Sequence, residues 1–281
     1  MTPVAYWEMF GAFEPGGRRP FTGDAVVFSS IEQGSASSPA SSGLCVRFVG
    51  RGREDYRVNG KACRLDAGQI MISPQDSGAE IEIRRDECAG TVGLCALIRN
   101  PFDDLAWDFG PLVTSASASV LGATMERSAK TLWTSARPKQ EVASELVATL
   151  RSELPSIARS MLGQVASMEA TKPATRFEMV RRAHLAQAYL HSVTGRAVEL
   201  AEVATAIGYS PFQLLRAFQH CFGDTPAGYH RKLRLNLVLD EAARRGVPVG
   251  VVCDEFGFAG ASSFSHAYRR AFGHPPTRRA A

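Results

Sequence analysis

Short apolar runs set between turn residues make residues from about 20 to 110 read as strands, and the pattern then changes to a helical one. In Leu44–Val49 the residues Leu44, Val46 and Phe48 share one face of a short strand. Tyr56–Leu65 carries Asn59-Gly60 at its centre, a hairpin signal because both positions accept positive φ. Asp66-Ala67-Gly68 turns the chain into Gln69–Ser73, which Pro74 stops. Glu80–Arg84 alternates cleanly, and Thr91–Ile98 reads as a buried strand. Ser35–Ser42, rich in Ser, Ala and Pro, reads as a loop. Short strands separated by turn residues predict a small antiparallel barrel or jelly roll.

Beyond Pro101 the spacing turns helical and strengthens from Gln140, where Val142, Leu146, Leu150 and Leu154 step by four along one stripe. A second helix is predicted over Ile157–Met168. Glu169–Thr175 has no period and contains Pro173, which marks it as the linker, assigned to 170–176. From Arg176 the chain is predicted helical almost to its end.

That last part contains a repeat. Gly208-Tyr209 matches Gly257-Phe258 at an offset of 49, and Phe218, Phe222, Gly223 and Pro226 match Tyr268, Phe272, Gly273 and Pro276 at an offset of 50. Each copy reads as an amphipathic helix, a turn holding a Gly, and a second amphipathic helix, over 201–222 and 249–272. In the first copy Leu200, Val203, Ala204 and Ile207 form the inner stripe of the supporting helix, and Ser210-Pro211 opens the next helix as cap and first residue. Leu214, Phe218 and Cys221 are expected to face inward, leaving Phe212, Gln213, Arg216 and Gln219 on one outward strip. The matching strip of the second copy is Ser262, Ser263 and His266, followed by Arg269 and Arg270 one turn on.

Charge changes the picture only when it is divided. The chain carries +4 overall, but residues 176–281 hold 14 Lys and Arg against 8 Asp and Glu, while residues 1–175 hold 18 against 20. A surface suited to a polyanion therefore belongs to the C-terminal part. All six histidines lie at position 184 or beyond, so the strand-rich part cannot hold a histidine-ligated metal. No CxxC pair, GxSxG, P-loop or spaced Cys–His or Ser–His pairing is present, and no catalytic residue, metal or cofactor is expected. No apolar run reaches the roughly 18 residues that span a bilayer. Glu8 interrupts the short apolar start, so the expectation is a cytoplasmic chain with reduced thiols. Cys45, Cys63, Cys88 and Cys95 sit in or beside predicted strands, as small buried residues or as thiol sensors. Arg47, Arg51, Arg53, Arg57 and Arg64 form either a solvated basic edge or a cluster able to face a carboxylate ligand.

Residues 178–279 resemble the DNA-binding domain of the AraC/XylS family of bacterial transcription regulators. The most specific match is Val252-Cys-Asp-Glu-Phe-Gly-Phe258, followed by Ser263 through Pro276 with its Phe-Gly-His-Pro-Pro end. The resemblance implies two helix-turn-helix subdomains joined by a long helix, here about Pro226–Arg244, with Tyr229, Leu233 and Leu237 inward and Arg231, Lys232 and Arg234 near its start. It also implies that two recognition helices enter successive major grooves. Phe212, Gln213 and Arg216, with Ser262 and Ser263, would then face bases, with Gln219 on the same strip, His266 on a base or a phosphate, and Arg269 and Arg270 on phosphates; Phe212 packing against its own turn is the alternative for that residue. Arg278-Arg279 is either a further basic contact or solvated.

The strand-rich part resembles more loosely the cupin-like barrel that family members carry as a sensor. The whole is thus an α+β chain: a cupin-like effector-sensing barrel (1–124), dimerisation helices (125–169), a linker and a DNA-binding domain (177–281). The resemblance implies a regulator, an activator by analogy, with promoter DNA and RNA polymerase as partners, a small-molecule effector, and a homodimer. Two other readings stay open: a cupin-type enzyme fused to a DNA-targeting domain, and a protein-interaction module built on the helix-turn-helix units.

Overall fold

The computed structural model describes residues 4–12, 23–38, 43–58, 61–74, 79–83, 90–102, 111–169 and 172–276. Asn59-Gly60, Cys88 and Arg278-Arg279 lie outside them. The chain divides into two compact units, residues 1–167 and 168–281.

Among the described residues the N-terminal unit holds nine strands: β1 (Ala5–Ala12), β2 (Ala25–Ser38), β3 (Leu44–Arg51), β4 (Arg53–Val58), β5 (Lys61–Asp66), β6 (Gln69–Pro74), β7 (Ala79–Ile83), β8 (Thr91–Ile98) and β9 (Leu112–Ser115). They form one sheet in the order β5-β4-β7-β2-β8-β3-β6-β9, with β1 parallel to β2. The expected closed barrel is not formed among the described residues, because the path runs from an edge at β5 to an edge at β9. The long strand β2 explains the shape: its residues 25–31 pair with β8 and its residues 34–38 with β7, so one strand serves two parts of the sheet. Ser35–Ser38, expected as loop, is consequently strand, since pairing with β7 satisfies backbone groups that composition alone assigns to solvent. The β4–β5 register, Val58 opposite Lys61, is that of a hairpin with a two-residue connection.

After a short 3-10 turn at Ala116–Ala118, two α-helices follow among the described residues, α1 (Val120–Thr134) and α2 (Lys139–Ser167). Phe28, Val46, Phe48, Ile70, Ile72, Leu94 and Ala96 share one sheet face and are buried. The Phe28 ring meets that of Trp133 on α1 at 5.5 Å, so this is the face the helices cover. Where two helices were expected there is one, continuous through Pro155. Its Val142, Leu146, Leu150 and Leu154 are buried inside the unit, so the stripe expected to pair subunits is spent on intramolecular packing.

The opposite face is also covered, which is why β3 is buried at consecutive positions. There Arg47 donates through Nε to Glu54 Oε2 at 2.8 Å and through a terminal nitrogen to Ser29 Oγ at 2.9 Å. Glu54 also accepts from Tyr56 (2.5 Å) and Thr91 (2.9 Å). Burial alone would raise the Glu54 pKa, but the Arg47 guanidinium and these donors hold it below its ordinary value. The expected basic cluster is thus largely consumed: Arg47 by Glu54, Arg53 by Asp66 and Arg64 by Asp55.

The C-terminal unit is helical: α3 (Pro173–Ser192), α4 (Leu200–Ala206), α5 (Pro211–Phe222), α6 (Pro226–Arg245), α7 (Val249–Val252) and α8 (Ala261–Phe272). Two apolar clusters lie among its described residues. One gathers Ala186, Leu190, Val203, Ala204, Leu214 and Phe218, and the other Val238, Ala242, Val252, Cys253, Phe264 and Tyr268. Ala186 and Leu190 of α3 stand 52 residues before Val238 and Ala242 of α6, so the repeat extends upstream and each copy has three helices, not two. The inner stripe expected on α6 is displaced. Tyr229, Leu233 and Leu237 are only partly buried, whereas His230, Arg234, Leu235, Val238 and Ala242 are buried. A helix shared by two clusters must bury residues on two sides, which a single stripe does not anticipate. Arg234, expected near a basic surface, is one of these buried residues.

Candidate nucleic-acid interface

Each copy turns between its last two helices at a glycine of positive φ, Gly208 at +63° and Gly257 at +70°. An arginine from the copy's first helix clamps each turn. In the first copy Arg182 donates to the carbonyl of Ile207, and its guanidinium lies 5.7 Å from the centre of the Tyr209 ring. In the second, Arg234 donates to the carbonyls of Phe256 (2.9 Å) and Gly257 (3.1 Å), and its guanidinium lies 4.7 Å from the centre of the Phe258 ring. Arg182 and Arg234 are again 52 residues apart. An arginine suits this task because its fork satisfies a carbonyl while its plane stacks on the neighbouring aromatic ring. Reading the two-helix repeat alone missed both clamps; aligning the preceding helices at the same offset would have exposed them.

The first clamp is itself held by an acid. Glu178 accepts from Arg181 (2.7 Å) and Arg182 (2.6 Å). Partial burial would raise its pKa, but these bonds and charges bring it down to about 2. The residue 52 positions on is His230, which instead donates to the carbonyl of Val193 at 2.7 Å. Burial lowers its pKa and favours the neutral ring.

The helices after the turns start differently. Ser210 caps α5, accepting from the backbone N–H of Gln213 at 3.3 Å, and Pro211 supplies a pre-set first residue. The Ser210 hydroxyl also donates to Gln213 Oε1 at 2.9 Å, which leaves the amide nitrogen of Gln213 to point elsewhere. Before α8 stands Gly260, with no side-chain cap. Both helices end at a left-handed glycine, Gly223 and Gly273.

Leu214, Ala217 and Phe218 of α5 and Phe264 and Tyr268 of α8 are buried. Cys221, expected inward, is half-buried, and burial pushes its thiol up to about 12. On the outer side Phe212, Gln213, Arg216 and Gln219 are exposed, as are Ser262, Ser263, His266, Arg269 and Arg270. Phe212 is 76% exposed, so it does not pack back on its own turn. Each of Phe212, Gln213, Arg216 and Gln219 has its counterpart 50 residues on: Ser262, Ser263, His266 and Arg269. The structure thus sets two equivalent polar strips on two equivalent helices. Joining them, α6 is 20 residues long, about 30 Å of helix. Arg216 is not idle: it donates to the carboxylate of Glu169 at 2.9 Å and to that residue's carbonyl at 3.1 Å. Arg269 and Arg270 make no ion pair among the described residues.

Residues 203–280 match a family described as "Helix-turn-helix domain". The probable transcriptional regulator LumQ of Photobacterium leiognathi is 32% identical over 90 residues, 32% of this chain and 36% of that protein. An uncharacterized HTH-type transcriptional regulator, YidL of Escherichia coli (strain K12), is 33% identical over 90 residues, 32% of this chain and 30% of that protein. The C-terminal unit carries a helix-turn-helix domain of this family. The match spans only about a third of the length of these curated relatives. Among solved structures, fatty acid-bound ToxT of Vibrio cholerae aligns over 92% of this chain and 95% of its own, with 11% identity and a TM-score of 0.32. The AraC-like activator CuxR aligns over 79% and 77%, with 15% identity and a TM-score of 0.33. Likeness at that level carries no weight for function, so the helix-turn-helix domain rests on its own sequence match and clamped turns. No helix of the described residues is long and apolar enough to cross a membrane.

Proposed function

We propose that this chain is a sequence-specific transcription regulator whose AraC-type domain reads promoter DNA through α5 and α8. The observation that carries the reading is the duplication: two glycine turns, two arginine clamps and two polar strips. A helix fits the B-DNA major groove, and half-sites on one face of the duplex recur about every 34 Å. In this reading Arg216 takes a guanine edge bidentately, with Gln213 on an adjacent base and Phe212 available for apolar contact with a thymine methyl. Ser262, Ser263 and His266 read less, and Arg269 and Arg270 fix register on phosphates.

The N-terminal unit serves as the effector-sensing and dimerising part, and the regulator acts as an activator in contact with RNA polymerase. With the α2 stripe buried, subunit pairing falls to outward positions of that unit, where Val120 and Trp133 stand exposed. Two copies of the chain would then reach repeated half-sites. Titrating the full chain onto its genomic sites and onto random duplex at several salt concentrations tests the reading. Affinity should fall steeply with salt on both. Arg216→Ala should cost about 1–3 kcal/mol on the genomic site and little on random duplex; equal losses on both would reduce Arg216 to a phosphate contact.

A further inference from the structure

In the N-terminal unit Cys45 of β3 lies opposite Leu97, and Cys95 of β8 lies opposite Arg47, so the two cysteines are diagonal neighbours on one face of paired strands. Their sulfur atoms stand 3.2 Å apart. Both are nearly covered, at 8% and 6% exposure. Ala25 and Leu97 are buried with them, and Ala5, Trp7 and Val27 pack against the group.

We propose that Cys45 and Cys95 are a redox-active dithiol, which hydroperoxides convert to an intramolecular disulfide. The sulfur atoms need to close from 3.2 Å to the ~2.04 Å of the bond. A zinc ion would need them near 3.8 Å, from Zn–S distances of about 2.3 Å in a tetrahedron, and would need further ligands. No group of three or more His, Cys, Asp or Glu able to hold a metal occurs among the described residues. The separation therefore favours a bond over a clasp.

Cys95 is the attacking residue in this scheme, since it lies directly opposite Arg47 across the ladder, whereas Cys45 lies opposite Leu97. Its thiolate attacks one peroxide oxygen, the O–O bond breaks, and the leaving oxygen takes a proton and departs as water or alcohol, leaving a sulfenic acid. The Cys45 sulfur then attacks the Cys95 sulfur, and the hydroxyl leaves with the Cys45 proton as water. Two thiols give up two electrons and two protons, and one hydrogen peroxide becomes two waters.

The proposal is independent of the DNA-reading role. Its test is the full chain exposed to a small molar excess of hydrogen peroxide, alkylated under denaturing conditions and digested with trypsin. Cys88 and Cys95 share a tryptic peptide, Asp86–Arg99, so the same treatment of a Cys88→Ser chain fixes the assignment. The expected result is a cross-linked pair joining the Cys45 and Cys95 peptides, with loss of two alkylatable thiols per chain, restored by dithiothreitol. A Cys45→Ser chain should instead accumulate sulfenic acid at Cys95, trapped by dimedone. Both thiols remaining alkylatable at peroxide that oxidises free glutathione overturns the proposal, and so does a bridge from either residue to Cys63 or Cys88.

Discussion

The two copies of the helix-turn-helix unit share a plan and differ in how each is held. In the first, the turn is roomy: a methyl group built on Gly208 would come no nearer than 3.6 Å to any atom, the end of Arg182. In the second, a methyl group on Gly257 would lie 2.8 Å from the carbonyl oxygen of Gly195 and 3.0 Å from Arg234. The first copy is fastened by a charged chain, Glu178 to Arg182 to the Ile207 carbonyl, and its helices α3 and α5 are lined by half-buried histidines and aromatics. The second is fastened by close packing around a buried arginine. The first copy therefore depends on ionisation, and the second on the absence of a single methyl group.

Acid should separate the copies most. Burial depresses both His184 and His191, on α3 of the first copy, to about 4. Their folded pKa lies below the ordinary 6.5, so the neutral rings stabilise the fold above pH 6.5, and that stabilisation is lost as pH falls from 6.5 towards 4. At pH 5 the loss is about 2 kcal/mol per histidine. His230, on the helix α6 that the two copies share, is also buried and favoured neutral, whereas His266 and His274 of the second copy are exposed. Amide exchange measured at pH 7 and pH 5 should show α5 losing more protection than α8. If α8 loses as much, the two copies unfold as one body and the contrast fails.

Substitution at the glycines should invert that order. Gly257→Ala combines a left-handed backbone with a backbone clash and should cost about 3 kcal/mol in denaturant unfolding, against about 1 kcal/mol for Gly208→Ala. Equal losses would mean that the second turn relaxes as freely as the first.

The smallest effect concerns Arg216. Glu169 is 83% and Arg216 50% exposed, and such surface pairs are worth about 0–1 kcal/mol. Glu169→Gln should therefore raise affinity for a genomic site by up to about fivefold. A weakened complex would show that Glu169 orients Arg216 towards DNA and does not compete for it.

Much of the C-terminal unit was legible in the sequence because its determinants are local. Ser210-Pro211 opens α5, glycines mark both turns, and Leu214, Phe218, Phe264 and Tyr268 repeat at helical spacing. The arginine clamps were not legible in that pattern, because Arg182 and Arg234 act on carbonyls 25 and 22 residues away. In the N-terminal unit the segments of β3 to β8 were legible, but β1, β2 and β9 were not singled out, and a closed barrel was expected where the sheet stays open. Which neighbours β2 takes along its 14 residues depends on distant pairing, and a Ser-rich run looks like loop until a partner satisfies it. Pro155 failed to end α2 because the buried residues on either side, Leu154 and Ala158, hold one stripe across it. The same burial shows why a leucine stripe alone does not reveal whether it meets another subunit or its own chain.

The helix α6 closes the first copy through Tyr229 and His230 and opens the second through Arg234, Val238 and Ala242. Its length is therefore a ruler and its pitch a compass. Each residue added or removed at its middle shifts α8 along the axis by about 1.5 Å and swings it by about 100°, and no whole number of residues up to a full turn restores the original aim. Lineages that respace the two reading helices must do so elsewhere than in this helix, or rebuild both ends together.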